Sequence, residues 1–144
     1  MSTVFDVAKY VLKKTGKITT MKLQKLVYYC QAWSLAWDGV PLFDEDFQAW
    51  ANGPVCPELF RLHHGKFVVD ESLFCDLPDY PFGQDAIETI HAVLDHYGDK
   101  EPYWLSELTH KEAPWREARA GVPNGEPCSN VIQKERMQQY YGGL

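Results

Sequence analysis

The chain has 144 residues, of which 45% are hydrophobic and 24% charged, a balance that fits one globular domain and excludes a disordered tail. Its net charge of −6 makes it a poor nonspecific binder of phosphate backbones. No apolar run reaches the roughly 18–20 residues a bilayer crossing needs, and Met1 to Asp6 lacks the basic head and apolar stretch of a secretory signal, so a cytoplasmic protein is expected.

The charge is unevenly spread. Lys9, Lys13, Lys14, Lys17, Lys22 and Lys25 stand against Asp6 alone, leaving a strongly acidic remainder. Two readings stay open: solvated faces, or an acidic surface suited to a basic protein partner. Cys30, Cys56, Cys75 and Cys128 are far apart and form no C-x-x-C pair, which points to reduced thiols without a metal or redox role.

Val4, Val7, Ala8, Val11 and Leu12 share one helical face, with Thr3 as N-cap, Asp6 in the first turn and Gly16 as the stop. A second helix is predicted from Met21 to Trp37, capped by Thr19 or Thr20. It is apolar on nearly every face, which marks a central helix. Asp38-Gly39 ends it, and the aromatic, acidic stretch from Val40 to Trp50 suits a small hairpin or extended segment. Asn52-Gly53-Pro54 reads as a turn. Pro57 opens a short helix from Glu58 to His64, and Phe67-Val68-Val69 is a strand candidate. After a loop around Pro78 and Pro81, Ile87, Ile90, His91, Leu94 and Tyr97 line one face of a helix that Gly98 stops. Pro102 opens another through Leu108, a further helix ends near Arg119, Gly121 to Pro127 is a loop, and a last helix runs from Lys134 to Tyr141. The fold class is therefore mainly α: a single multi-helix domain over residues 1–144, with a small antiparallel β element near Leu42–Val69.

Catalytic signatures are missing. There is no phosphate-cradling glycine loop, no G-x-S-x-G elbow and no H-E-x-x-H. His63 and His64 are adjacent and point about 100° apart on a helix, while His91 and His96 are five apart, so neither pair shares an ion. Asp44 and Asp46 flank Glu45 in what reads as a solvated turn. No cofactor or catalytic metal is expected. Two alternatives remain: a small metal-dependent hydrolase using His110 with Glu107 or Glu112, and a helix-turn-helix regulator built on the basic start. The aromatic second helix, with Tyr28, Tyr29, Trp33, Leu35 and Trp37, argues against a recognition helix.

Three runs carry specific information. Thr20-Met21-Lys22-Leu23-Gln24-Lys25-Leu26-Val27-Tyr28-Tyr29-Cys30-Gln31-Ala32-Trp33 resembles the signature helix of the Panacea antitoxin domain, the SocA-like, phage-associated protein family. Phe47-Gln48-Ala49-Trp50 followed by Gly53-Pro54-Val55 resembles the family's second motif, and Leu105 to Trp115, with His110, Pro114 and Trp115, its third. The motifs come in the family's order, so the resemblance spans nearly the whole chain. It implies a non-enzymatic antitoxin that neutralises a toxin from an adjacent gene by direct binding, with some members delivering the toxin to a protease or its unfoldase. Many members carry an additional DNA-binding or other domain; none is expected beside this one, so autoregulation by direct DNA binding is not expected either. The oligomeric state is left open.

Among the motif residues, Leu23, Leu26, Val27 and Trp50 are expected in the core, and Gly53-Pro54 in a turn. Gln24, Lys25, Tyr28, Tyr29 and Gln31 are expected to offer a partner-binding surface, since polar groups on an apolar helix need a reason. The competing reason is hydrogen bonding inside the domain.

Overall fold

The computed structural model describes residues 1–144 and is organised around one helix, α2 (Thr20–Asp38). Leu23 through Ala32 are buried without interruption, so this helix has no wet side along most of its length. Thr19 caps it by accepting from the Lys22 N–H, and Gly39, in the left-handed conformation, closes it. Around it lie α1 (Val4–Thr15), α3 (Pro57–His63), α4 (Gln84–Tyr97), α5 (Pro102–Lys111), α6 (Ala113–Ala118) and α7 (Lys134–Gly142). The architecture is mainly α.

α1 shows how directly the local sequence acts. The Thr3 hydroxyl accepts from the Asp6 N–H while the Asp6 carboxylate accepts from the Thr3 N–H, a reciprocal cap. Val4, Val7, Ala8, Val11 and Leu12 are all buried, each a i, i+3 or i+4 neighbour of another. Fully burying a valine or leucine contributes roughly 1.5–3 kcal/mol, so this face seats the helix.

Two small antiparallel sheets complete the domain. β1 (Ile18–Thr19) pairs with β4 (Val68–Val69), with Ile18 opposite Val69. β2 (Phe47–Trp50) is the middle strand of three, with β3 (Gly53–Val55) on one side and β5 (Val131–Ile132) on the other. The β element therefore extends beyond Leu42–Val69. β5 comes from the far end of the chain and brings Ile132 opposite Phe47. A two-residue strand has no period to read, which is why the sequence does not show it. Aromatic side chains fill the space between helices: Tyr29 stacks on Tyr97 at 4.2 Å, and Tyr28 meets Phe47 edge-on at 5.3 Å. Trp33 and Trp50 are only half-buried, so Trp50 is not the core residue expected of it.

Candidate functional site

Leu23, Leu26 and Val27 are fully buried, as expected. The five polar and aromatic residues expected on a surface are inside as well. Gln24, Lys25, Tyr28, Tyr29 and Gln31 are at most 2% exposed, so none stands on an open surface in this conformation, and only Gln24 and Lys25 reach a cavity wall. The physical reason lies in the irregular connection after α2, whose backbone groups need partners once buried. Gln31 donates to the Phe43 carbonyl at 2.8 Å and accepts from the Leu42 N–H at 2.7 Å. Gln24 accepts from the Cys56 N–H at 2.9 Å, donates to the Cys56 carbonyl at 3.3 Å, and its amide also meets the His63 ring at 3.0 Å. The internal alternative is what the structure shows.

The same logic fastens the β2–β3 hairpin. Arg119 donates to the Ala49 carbonyl at 2.9 Å, the Trp115 indole to the Trp50 carbonyl at 2.9 Å, and Ser106 to the Asn52 carbonyl at 2.6 Å. Lys25 donates to the Pro54 carbonyl at 3.1 Å. Residues from all three motifs thus meet on one hairpin: Lys25 from the first, Trp50, Gly53 and Pro54 from the second, Ser106 and Trp115 from the third. Gly53 has φ +117°, and a Cβ there would lie 2.7 Å from Lys25 Cε and 2.9 Å from Thr109 Oγ1. Only glycine fits. Pro114 is buried in the first turn of α6, and the His110 ring stacks on Trp115 at 4.1 Å.

Electrostatics beneath the hairpin follow burial. Lys25 has no carboxylate beside it, and burial lowers its ammonium to about 7. Burial also lowers His63 and His110, with the Lys25 charge acting in the same direction on both. Glu112 is raised by burial, against the opposing effect of the Tyr141 and Tyr29 hydroxyls, which both donate to its Oε1 at 2.7 Å. Those bonds commit the Glu112 carboxylate to the aromatic core, so His110 and Glu112 do not form the pair a hydrolase would use. His110 Nε2 is buried without a hydrogen-bond partner, and no three His, Cys, Asp or Glu side chains are grouped to hold a metal ion.

What the fastened hairpin leaves exposed is its outer face. Trp50 stands at the rim of a cavity of about 260 Å³ and meets Phe60 of α3 edge-on at 4.9 Å. Met21, Ala51 and Asn52 also line it, as do Gln24, Lys25 and His63. On the other flank of Trp50 a second hollow of about 460 Å³ is bounded by Gln48 and by Pro127 to Ser129. Such concave, largely apolar sites accept a side chain of a partner.

The family model for the antitoxin SocA-like, Panacea domain matches residues 23–116. The chain belongs to this family. The match takes in most of the first motif and all of the second and third, so the groups that fasten the hairpin, Arg119 excepted, lie within it. The chain is also similar to antitoxin SocA of Caulobacter vibrioides (strain NA1000 / CB15N), with 29% identity over 109 residues. That alignment covers 68% of this chain and 58% of the relative's own length. No solved structure matches the chain. No helix of this Panacea domain is long and apolar enough to cross a membrane.

Sequence reasoning missed the fastening roles of Ser106 and Arg119 and the place of Glu112 in the aromatic core. Arg119 carried one signal: an arginine just before a Gly/Pro loop has carbonyls to satisfy. It donates to those of Pro123 and Glu126 at 2.8 and 2.6 Å.

Proposed function

We propose that this protein is an antitoxin that neutralises a toxin encoded by a neighbouring gene, by forming a stable complex with it. The family match over residues 23–116 carries this reading. The architecture agrees with it: the polar residues of the motifs are spent on hydrogen bonds inside the domain, several of which hold a hairpin in place, and the outer face of that hairpin borders apolar hollows rather than a constellation of reactive groups. A binding module uses its chain in this way. Delivery of the toxin to a protease is a further role of the same complex, and a shortened toxin half-life in the presence of the antitoxin would reveal it.

Co-expression tests the proposal. The neighbouring gene alone should arrest growth, and adding this protein should restore it and co-purify the toxin. If no neighbour is toxic and affinity capture returns no partner, the reading falls.

A further inference from the structure

A toxin contact needs a surface, and the lysine-rich start of the chain provides one once its internal pairings are removed. Lys9 and Lys13 both reach Asp79, at 2.8 and 2.6 Å. Lys25 is buried. Lys14, Lys17 and Lys22, together with Lys66, have no carboxylate within 4 Å. Lys14, Lys17 and Lys22 line one hollow against α4, and Lys17 and Lys66 line an adjoining one beside β4. The acidic residues of these hollows are Asp95 in the first and Asp70 in the second. The Asp70 carboxylate is already engaged by the Ser72 N–H and hydroxyl, at 3.0 and 2.5 Å. Lys14, Lys17 and Lys66 are exposed and Lys22 is half-buried, with Lys14 over the Tyr10 ring at 5.3 Å, so the four outnumber the single remaining carboxylate, Asp95, on a protein whose net charge is −6.

Two exposed apolar residues follow Lys66 in the chain. Phe67 is 79% exposed and Val68 45%. Phe67 is held against the first turn of α2, because its carbonyl accepts from the Thr20 N–H at 3.0 Å. The residue after Thr20, Met21, is exposed and lines the cavity beside Trp50 and Phe60. The lysine hollow, an exposed phenylalanine and an apolar cavity thus adjoin at the first turn of α2, through Lys22, Thr20 and Met21 in turn. A large exposed aromatic among unpaired cations is the pattern of a recognition surface, since apolar anchors supply affinity and charges supply steering and selectivity.

We propose that this face docks an acidic segment of the toxin, one that sets carboxylates against Lys17, Lys22 and Lys66 and an apolar side chain into the cavity beside Trp50. The inference rests on the toxin-binding function proposed above and names the chemistry of the contact. Charge complementarity favours an acidic protein segment: it pairs with the lysines locally, whereas an extended polyanion also meets the acidic remainder of the protein. The lysines that the basic start devotes to Asp79 are not available to it.

The test uses the full chain and the product of the neighbouring gene, with affinity measured at about 50 and 300 mM salt to vary screening. Phe67→Ser should weaken binding about tenfold or more, as loss of an aromatic anchor does. The double reversal Lys22→Glu, Lys66→Glu should weaken it about tenfold at low salt and flatten its salt dependence, whereas Lys111→Glu, outside the face, should stay within about twofold. The altered side chains reach solvent, so melting temperatures should match the parent; a variant that melts early is replaced by Phe67→Leu or Lys66→Gln, with the same expectations in smaller degree. If the parent binds its neighbour and the face variants bind equally well, the docking inference is wrong and the antitoxin reading stands. If the parent does not bind its neighbour, the antitoxin reading is wrong and the inference goes with it. If instead the parent binds its own promoter duplex or RNA and the double reversal abolishes that, the face serves nucleic acid and the proposal is overturned.

Discussion

Replacing Lys25 with methionine isolates the consequence of burying an amine with no counter-charge. In the folded protein burial holds this ammonium at about 7, against an ordinary value of 10.5. Between those two values the unfolded chain binds a proton that the folded chain does not, so stability rises with pH across that window. The penalty is present in full below pH 7 and is relieved by pH 10.5. One proton corresponds to about 1.4 kcal/mol per pH unit, and near pH 8 the amine is almost fully titrated in one state only, giving a slope of about 1 kcal/mol per unit. Burial pushes up the thiols of Cys30 and Cys56, which contributes the opposite slope as the unfolded thiols ionise. That contribution is common to both proteins and cancels in the comparison. Lys25→Met also leaves the Pro54 carbonyl without its donor, an offset of about 1–3 kcal/mol at every pH. Urea unfolding at about pH 7.5 and 8.5 should therefore show the parent gaining about 1 kcal/mol relative to the variant. Equal slopes for the two proteins would refute the argument, whatever their absolute stabilities.

Gly53→Ala should destabilise by about 2 kcal/mol or more, because the backbone is at φ +117° and the new methyl meets Lys25 and Thr109, and thermal unfolding measures the loss. Arg119→Ala frees three carbonyls at once and should cost about 3 kcal/mol, with faster proteolytic nicking between residues 120 and 130 as the local sign. Glu112 is raised by burial, so the folded state favours its protonated form: its contribution is present below pH 4.5 and lost as pH rises to the raised value. Glu112→Gln should flatten that acid limb in unfolding curves, while keeping an oxygen for the Tyr29 and Tyr141 hydroxyls.

The elements with local causes were legible in the sequence. Thr3, Asp6 and Gly16 mark α1 within one turn of its ends because caps act on neighbouring residues, and the apolar circumference of α2 identifies the central helix. The roles of Gln24, Lys25 and Gln31 were not legible, because a polar side chain on a buried helix reads the same whether it faces a partner or an internal carbonyl. Which is true depends on where residues 40–56 return, a long-range matter. Glu112 illustrates a second limit. It lies two residues from His110 in sequence, yet it caps the junction between α5 and α6, and the turn of the chain there sends its carboxylate to Tyr29 and Tyr141.

The fastening of the β2–β3 hairpin acts on main-chain carbonyls at Ala49, Trp50, Asn52 and Pro54. A carbonyl is the same group whatever side chain its residue bears. Substitutions at Gln48, Ala51 or Asn52 therefore leave the grip intact while changing the relief and polarity of the outer face. The hairpin behaves as a mount with interchangeable fittings: its position is inherited from the helices beneath, and the chemistry of its outer face can drift without renegotiating the fold.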